Sequence, residues 1–238
     1  MSVKRILILA FIIMGTVEVS AEFFELPTII YKSKPWMMII LILLLLKSVD
    51  VKSNRSNRFM LLALVFCFFG DVLLMIQPSS EGLFIAGLFT FLVGHLMYTY
   101  AFYLDTQTPF KSKWKTEHLL IPIMLMAHAL LIASLMVGNL NGVMMVAVLI
   151  YVVFITIMGV AAAARIRDGY TLDRIMLLMG ALFFVFSDTL IGVTKFIDPD
   201  VPFARPAIMT QYLLGQILII LGWTGKTNPH TEIKVATA

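Results

Sequence analysis

FFGDVLLMI, residues 68–76, is a run of apolar side chains interrupted by one carboxylate, Asp71. A run of this kind belongs in hydrocarbon, and it is not isolated. Of the 238 residues 60% are hydrophobic and 13% are charged, and apolar runs of helix length recur from end to end, the composition of a polytopic membrane protein. Runs of roughly 17 to 25 apolar residues suit a helix crossing about 30 Å of hydrocarbon. Eight spans are expected, near residues 6–24, 35–49, 58–77, 82–104, 119–137, 142–164, 173–196 and 206–224. The expected fold is therefore all-α, a single membrane domain over 1–224 followed by a polar cytoplasmic tail over 225–238. The second span is short, about 22 Å at 1.5 Å per residue. Pro35 and Pro206 fall in first turns, where a missing N–H costs nothing.

The basic residues give an independent reading of the topology. With eight spans, four of the 18 lysines and arginines (Lys32, Lys34, Lys195 and Arg205) lie on one side and the other fourteen on the opposite side. By the positive-inside rule both termini are cytoplasmic, as in a bacterial-type inner membrane protein. The sequence pI near 9.2 thus reflects topology, and no nucleic-acid partner is implied; membrane lipids are the surroundings. A competing reading makes residues 1–21 a cleaved signal peptide, with Lys4-Arg5, an apolar stretch and Val19-Ser20-Ala21 before the cut. The charge bias is the same in both readings. The one cysteine, Cys67, excludes an intramolecular disulfide and a thiolate metal cluster.

Entering at Arg58 and rising 1.5 Å per residue, Asp71 lies about 20 Å deep, just past the midplane. A charged side chain there costs roughly 3 kcal/mol on insertion scales, so it faces a partner, the bundle interior or a watery cavity. The same argument selects Glu18 and Glu22 on the first span, His95 on the fourth, Asp188 on the seventh, and Gln211 and Gln216 on the eighth. Two stretches also resemble each other. Phe69-Gly70-Asp71 is answered by Phe186-Ser187-Asp188, 117 residues later, and Gly94-His95 by Gly215-Gln216. Spans 3 and 4 then look like a copy of spans 7 and 8. Four spans per half make such a duplication parallel, about an axis along the membrane normal, with Asp71 and Asp188 at equal depth.

The chain also resembles a known family at these residues. Lys34-Pro35, Gly70-Asp71, Phe91-Leu92-Val93-Gly94-His95, and Ser187-Asp188 with Lys195-Phe196 look like the YhhN-type lysoplasmalogenases, in order and over nearly the whole chain. The resemblance implies an eight-helix membrane enzyme that hydrolyses the vinyl ether bond of lysoplasmalogens, a lysophospholipid substrate, to a fatty aldehyde and a glycerophospho-ethanolamine or -choline. Oligomeric state is not implied.

The residues are suited to that chemistry. A vinyl ether is hydrolysed by protonating its β-carbon, which leaves an oxocarbenium-like cation that water attacks. Burial favours the neutral form of a carboxyl, and two neighbouring carboxyls can share one proton, as glycosidases use a carboxyl pair against a similar cation. Asp71 and Asp188 are the expected catalytic pair. His95 serves as hydrogen-bond partner or proton relay, Tyr98 shares its face, and Glu18, Ser187 and Gln216 support the site. Lys34 and Lys195 are expected to hold the lipid phosphate at the outer end. Glu22, on the same face of the first span as Glu18, either lines the same cavity or, near the outer boundary, is solvated. No cofactor and no metal are expected: His118, His128 and His230 are poorly placed for a zinc site with His95, and no HExxH occurs. A serine hydrolase built on Ser187 lacks a G-x-S-x-G turn. A proton-coupled transporter or lipid-binding membrane protein remains the alternative, because a repeat with midplane acids also builds carriers.

Overall fold

A computed structural model describes residues 2–76, 81–109, 114–140 and 142–225. Apart from Gly225, the expected tail lies outside them. Backbone polar groups in hydrocarbon must be paired within the segment, and the described residues answer with eight helices: α1 Val3–Phe23, α2 Pro27–Ser48, α3 Arg55–Ile76, α4 Glu81–Asp105, α5 Thr116–Val137, α6 Gly142–Ala164, α7 Leu172–Phe196 and α8 Ala204–Thr224. All eight are long and apolar enough to cross a membrane. The chain is a multi-pass membrane protein.

The second helix corrects the sequence reading. It begins at Pro27, a first-turn proline, and Pro35 lies inside it. At 22 residues it is about 33 Å long, so no thinned bilayer is needed. Apolar counting stopped at Lys32 and Lys34, which the helix tolerates because Lys34 finds carboxylates on α1. The ring of Pro35 removes one helical hydrogen bond, a loss that membrane helices absorb through neighbouring groups.

The most intimate pairs are α3 with α4 and α7 with α8, and they pack in the same register. Gly94 of α4 faces Cys67 and the carbonyl of Ala63 on α3, four and eight residues before Asp71. Gly215 of α8 faces Phe184 and the carbonyl of Gly180 on α7, four and eight residues before Asp188. A methyl group at Gly180 would sit 2.6 Å from the Gly215 carbonyl oxygen, so backbones touch there only because both residues lack a side chain. The wider contacts follow the same pairing: α2 packs on α3 as α6 on α7, and α4 packs on α6 as α8 on α2.

At the end where α4 and α6 finish, Arg165 is buried, pairs with Asp105 and lies over Trp223. Trp223 in turn donates to Asn57 at 2.8 Å, which ties α3, α4, α8 and the turn that follows α6 together at that end.

Candidate active site

Asp188, in the second half of α7, accepts a short hydrogen bond from the Tyr151 hydroxyl of α6. His95 of α4 brings Nε2 to 3.6 Å from the same carboxylate oxygen. The imidazole is fully buried, and neither ring nitrogen has a hydrogen-bond partner among the described residues. Aromatic rings hold it instead, Tyr151 and Phe184 edge-on at 5.2 and 4.9 Å between centroids. The Asp188 carboxylate lines a narrow, mostly apolar cavity of about 50 Å³ between α3, α4, α5, α6 and α7. His128 lines it too, bonded to Thr189 at 2.9 Å.

Asp71 is buried on α3 and accepts a hydrogen bond of 2.8 Å from Tyr212 of α8. The Tyr212 ring packs against Phe184 and Phe91, and Phe184 is the ring that also holds His95. Asp188 is close enough to feel the charge of Asp71. No hydrogen bond joins the two carboxylates, however. Each carboxyl has its own tyrosine, Tyr151 for Asp188 and Tyr212 for Asp71.

A second buried polar group lies between α1 and α2. Glu18 of α1, wholly buried, accepts a short hydrogen bond from Ser33 of α2. Lys34 lies 4.0 Å from Glu18 and 3.3 Å from Glu22, and the Arg205 guanidinium lies 3.0 Å from Glu22. The expectation that Glu22 is solvated is overturned: only 4% of it is exposed, and two cations clasp it. Glu18 and Lys34 both act electrostatically on Asp71. The charge of Lys34 is therefore already matched by two carboxylates, whereas Lys195 lies 4.9 Å over the ring of Phe84. Phe84 and Phe196 line the Asp188 cavity, so Lys195 lies beside that end of it. The two lysines expected to act together thus sit in different settings.

The remaining expected residues support the bundle around these groups. Tyr98 donates to Gln216 at 2.6 Å in a fully buried pair joining α4 to α8. Ser187 donates to the carbonyl of Ile208, clamping α7 to α8. Tyr151, Tyr212, Ser33 and His128 were not picked out from sequence. A signal existed for Tyr151: a hydroxyl midway along the aliphatic α6 needs a hydrogen-bond partner as surely as a buried acid does.

The YhhN family profile matches residues 29–223, which carry every group of the site except Glu18 and Glu22. The chain belongs to the YhhN family. Lysoplasmalogenase TMEM86A of Homo sapiens is similar to this chain, 30% identical over 189 residues, 78% of this chain and 73% of that protein. Its counterpart from Bos taurus is 29% identical over the same shares. No solved structure matches this YhhN chain.

Proposed function

We propose that this YhhN protein is a lysoplasmalogenase, an intramembrane hydrolase that cleaves the vinyl ether of a lysoplasmalogen to a fatty aldehyde and a glycerophospho-ethanolamine or -choline. The similarity to two lysoplasmalogenases over 78% of the chain supports the reaction. The observation that supports it in the structure is Asp188: a residue lining an apolar cavity, in contact with Tyr151 and His95.

In this reading the Asp188 carboxyl protonates the β-carbon, which breaks the carbon–carbon π bond and leaves an oxocarbenium at the α-carbon. The carboxylate left behind and Asp71, acting through space, stabilise the cation. Water then adds at the α-carbon and returns its proton to Asp188, and the hemiacetal collapses to aldehyde and alcohol. Tyr151 and His95 orient the carboxyl and take up its changes of charge. Lys195 receives the phosphate as a point charge, while Lys34 serves the Glu18–Glu22 group. Both termini are cytoplasmic in this picture, as in a bacterial-type inner membrane, because fourteen of the 18 basic residues then lie inside.

The test is aldehyde release by the purified protein from a lysoplasmenyl lipid, beside saturated-ether and ester lysolipids. Aldehyde from the vinyl ether alone is expected. In heavy water it should carry deuterium at carbon 2, and in oxygen-labelled water a labelled carbonyl. Binding or transport without aldehyde would reassign the protein as a carrier.

A further inference from the structure

A cleft of about 1650 Å³ runs between α4, α5 and α6, from Thr106–Pro109 to the middle of the bundle. Its walls are almost wholly apolar, with residues such as Leu104, Leu130, Val153 and Ile157 along them. Three residues, Ala129, Val152 and Thr156, line both this cleft and the narrow cavity that holds Asp188. The two spaces therefore adjoin, with these three side chains between them.

The cleft is not an automatic product of the fold. In the matched register of the two halves, α5 corresponds to α1 and α4 to α8. Helix α1 packs on α8, whereas α5 packs on α6 and lightly on α7 but scarcely touches α4. The interface that α1 closes against α8 is open between α5 and α4. It opens beside the carboxylate that lines a cavity.

We propose that this cleft binds the hydrocarbon chain of the substrate and is its sideways entrance from the bilayer. The proposal rests on the lysoplasmalogenase reading. A vinyl ether joins a polar glycerol backbone to a long apolar chain, so a bond held at Asp188 needs a small space on one side and a long greasy one on the other. The cavity toward Phe84 and Phe196 holds about 50 Å³, too little for a long chain. The cleft offers more than thirty times that volume and runs through about half of the ~30 Å hydrocarbon core, the reach of a sixteen-carbon chain. Lys195 lies seven residues beyond Asp188, about 10 Å farther along α7 and in the opposite direction, where a phosphate would follow.

Two measurements test this. First, kcat/KM is compared for vinyl-ether lysolipids with eight-carbon and sixteen-carbon chains. Ile157→Trp, a change on the cleft wall away from the three shared residues, should lower the sixteen-carbon value about tenfold and leave the eight-carbon value within about twofold. Equal loss for both chains, or no change for either, would overturn the proposal. Second, an uncleavable saturated-ether lysophosphatidylethanolamine with a diazirine at its chain end is photolysed on the wild-type protein. Label on Tyr103, Leu104 or Val160, competed by unlabelled lysolipid, is expected. Label spread evenly over the lipid-facing helices would mark an ordinary lipid shell and sink the proposal. The probe needs no turnover, so an inactive enzyme that labels in the cleft would refute the hydrolase reading and leave the chain site standing.

Discussion

Asp188 receives one polar group from each of two other helices, Tyr151 from α6 and His95 from α4, while Lys195 stands two turns farther along its own helix. These residues should separate kinetically. Asp188→Asn keeps the size but removes the transferable proton, so kcat should fall ~100-fold or more with little change in KM. Lys195→Met should raise KM and spare kcat, because a phosphate contact is made equally in the ground and transition states. Steady-state kinetics on a lysoplasmenyl lipid, with the amount of inserted protein checked, reads both; equal kcat loss in the two variants would remove the division of roles. The acids and His95 were legible in sequence because a lone charge or imidazole among leucines has few reasons to be there. Tyr151 and Tyr212 were not, because a tyrosine is ordinary in a membrane helix until its neighbour across the bundle is known. The surroundings of Lys34 were hidden for a related reason: sequence located its depth but not the two glutamates of α1 that face it.

At the scale of elements, the close approach of α7 and α8 rests on Gly180 and Gly215. A methyl at Gly180 meets backbone atoms, the Gly215 carbonyl oxygen at 2.6 Å and the Ile219 nitrogen at 2.7 Å, and backbone cannot swing aside as a side chain can. Gly180→Ala should therefore destabilise the protein by ~1–3 kcal/mol. Gly138→Ala, where nothing lies within 4 Å, should cost far less. Thermal unfolding in one detergent compares them, and equal melting temperatures would show that the pair can part without cost. Helix α2 teaches the complementary lesson. Its first two turns were hidden in sequence by Lys32, Lys34 and Pro35, residues that signal a membrane edge only while their partners are unknown.

Across the whole molecule, the eight-span architecture was readable because hydrocarbon thickness imposes a length on every helix. The sidedness rests on charge alone and can be checked directly. In a Cys67→Ser background, single cysteines at Asp50 and at Asp200, in the connections after α2 and after α7, should react with an impermeant thiol reagent from opposite faces of sealed vesicles, the former from the cytoplasmic face. Reaction of both from one face would break the alternation of spans. The internal resemblance of residues 69–71 and 186–188 foretold a shared packing register but not where the halves diverge, since divergence lies in contacts that α5 fails to make. That gap faces lipid, so its width is a matter of lateral pressure as well as of protein packing. Reconstitution into bilayers of short-chain and long-chain phosphatidylcholine changes the pressure and thickness around α5 without touching a residue of the site. Turnover of a long-chain vinyl ether should respond to the host bilayer while that of a short-chain one does not, which would make membrane composition itself a control on the enzyme.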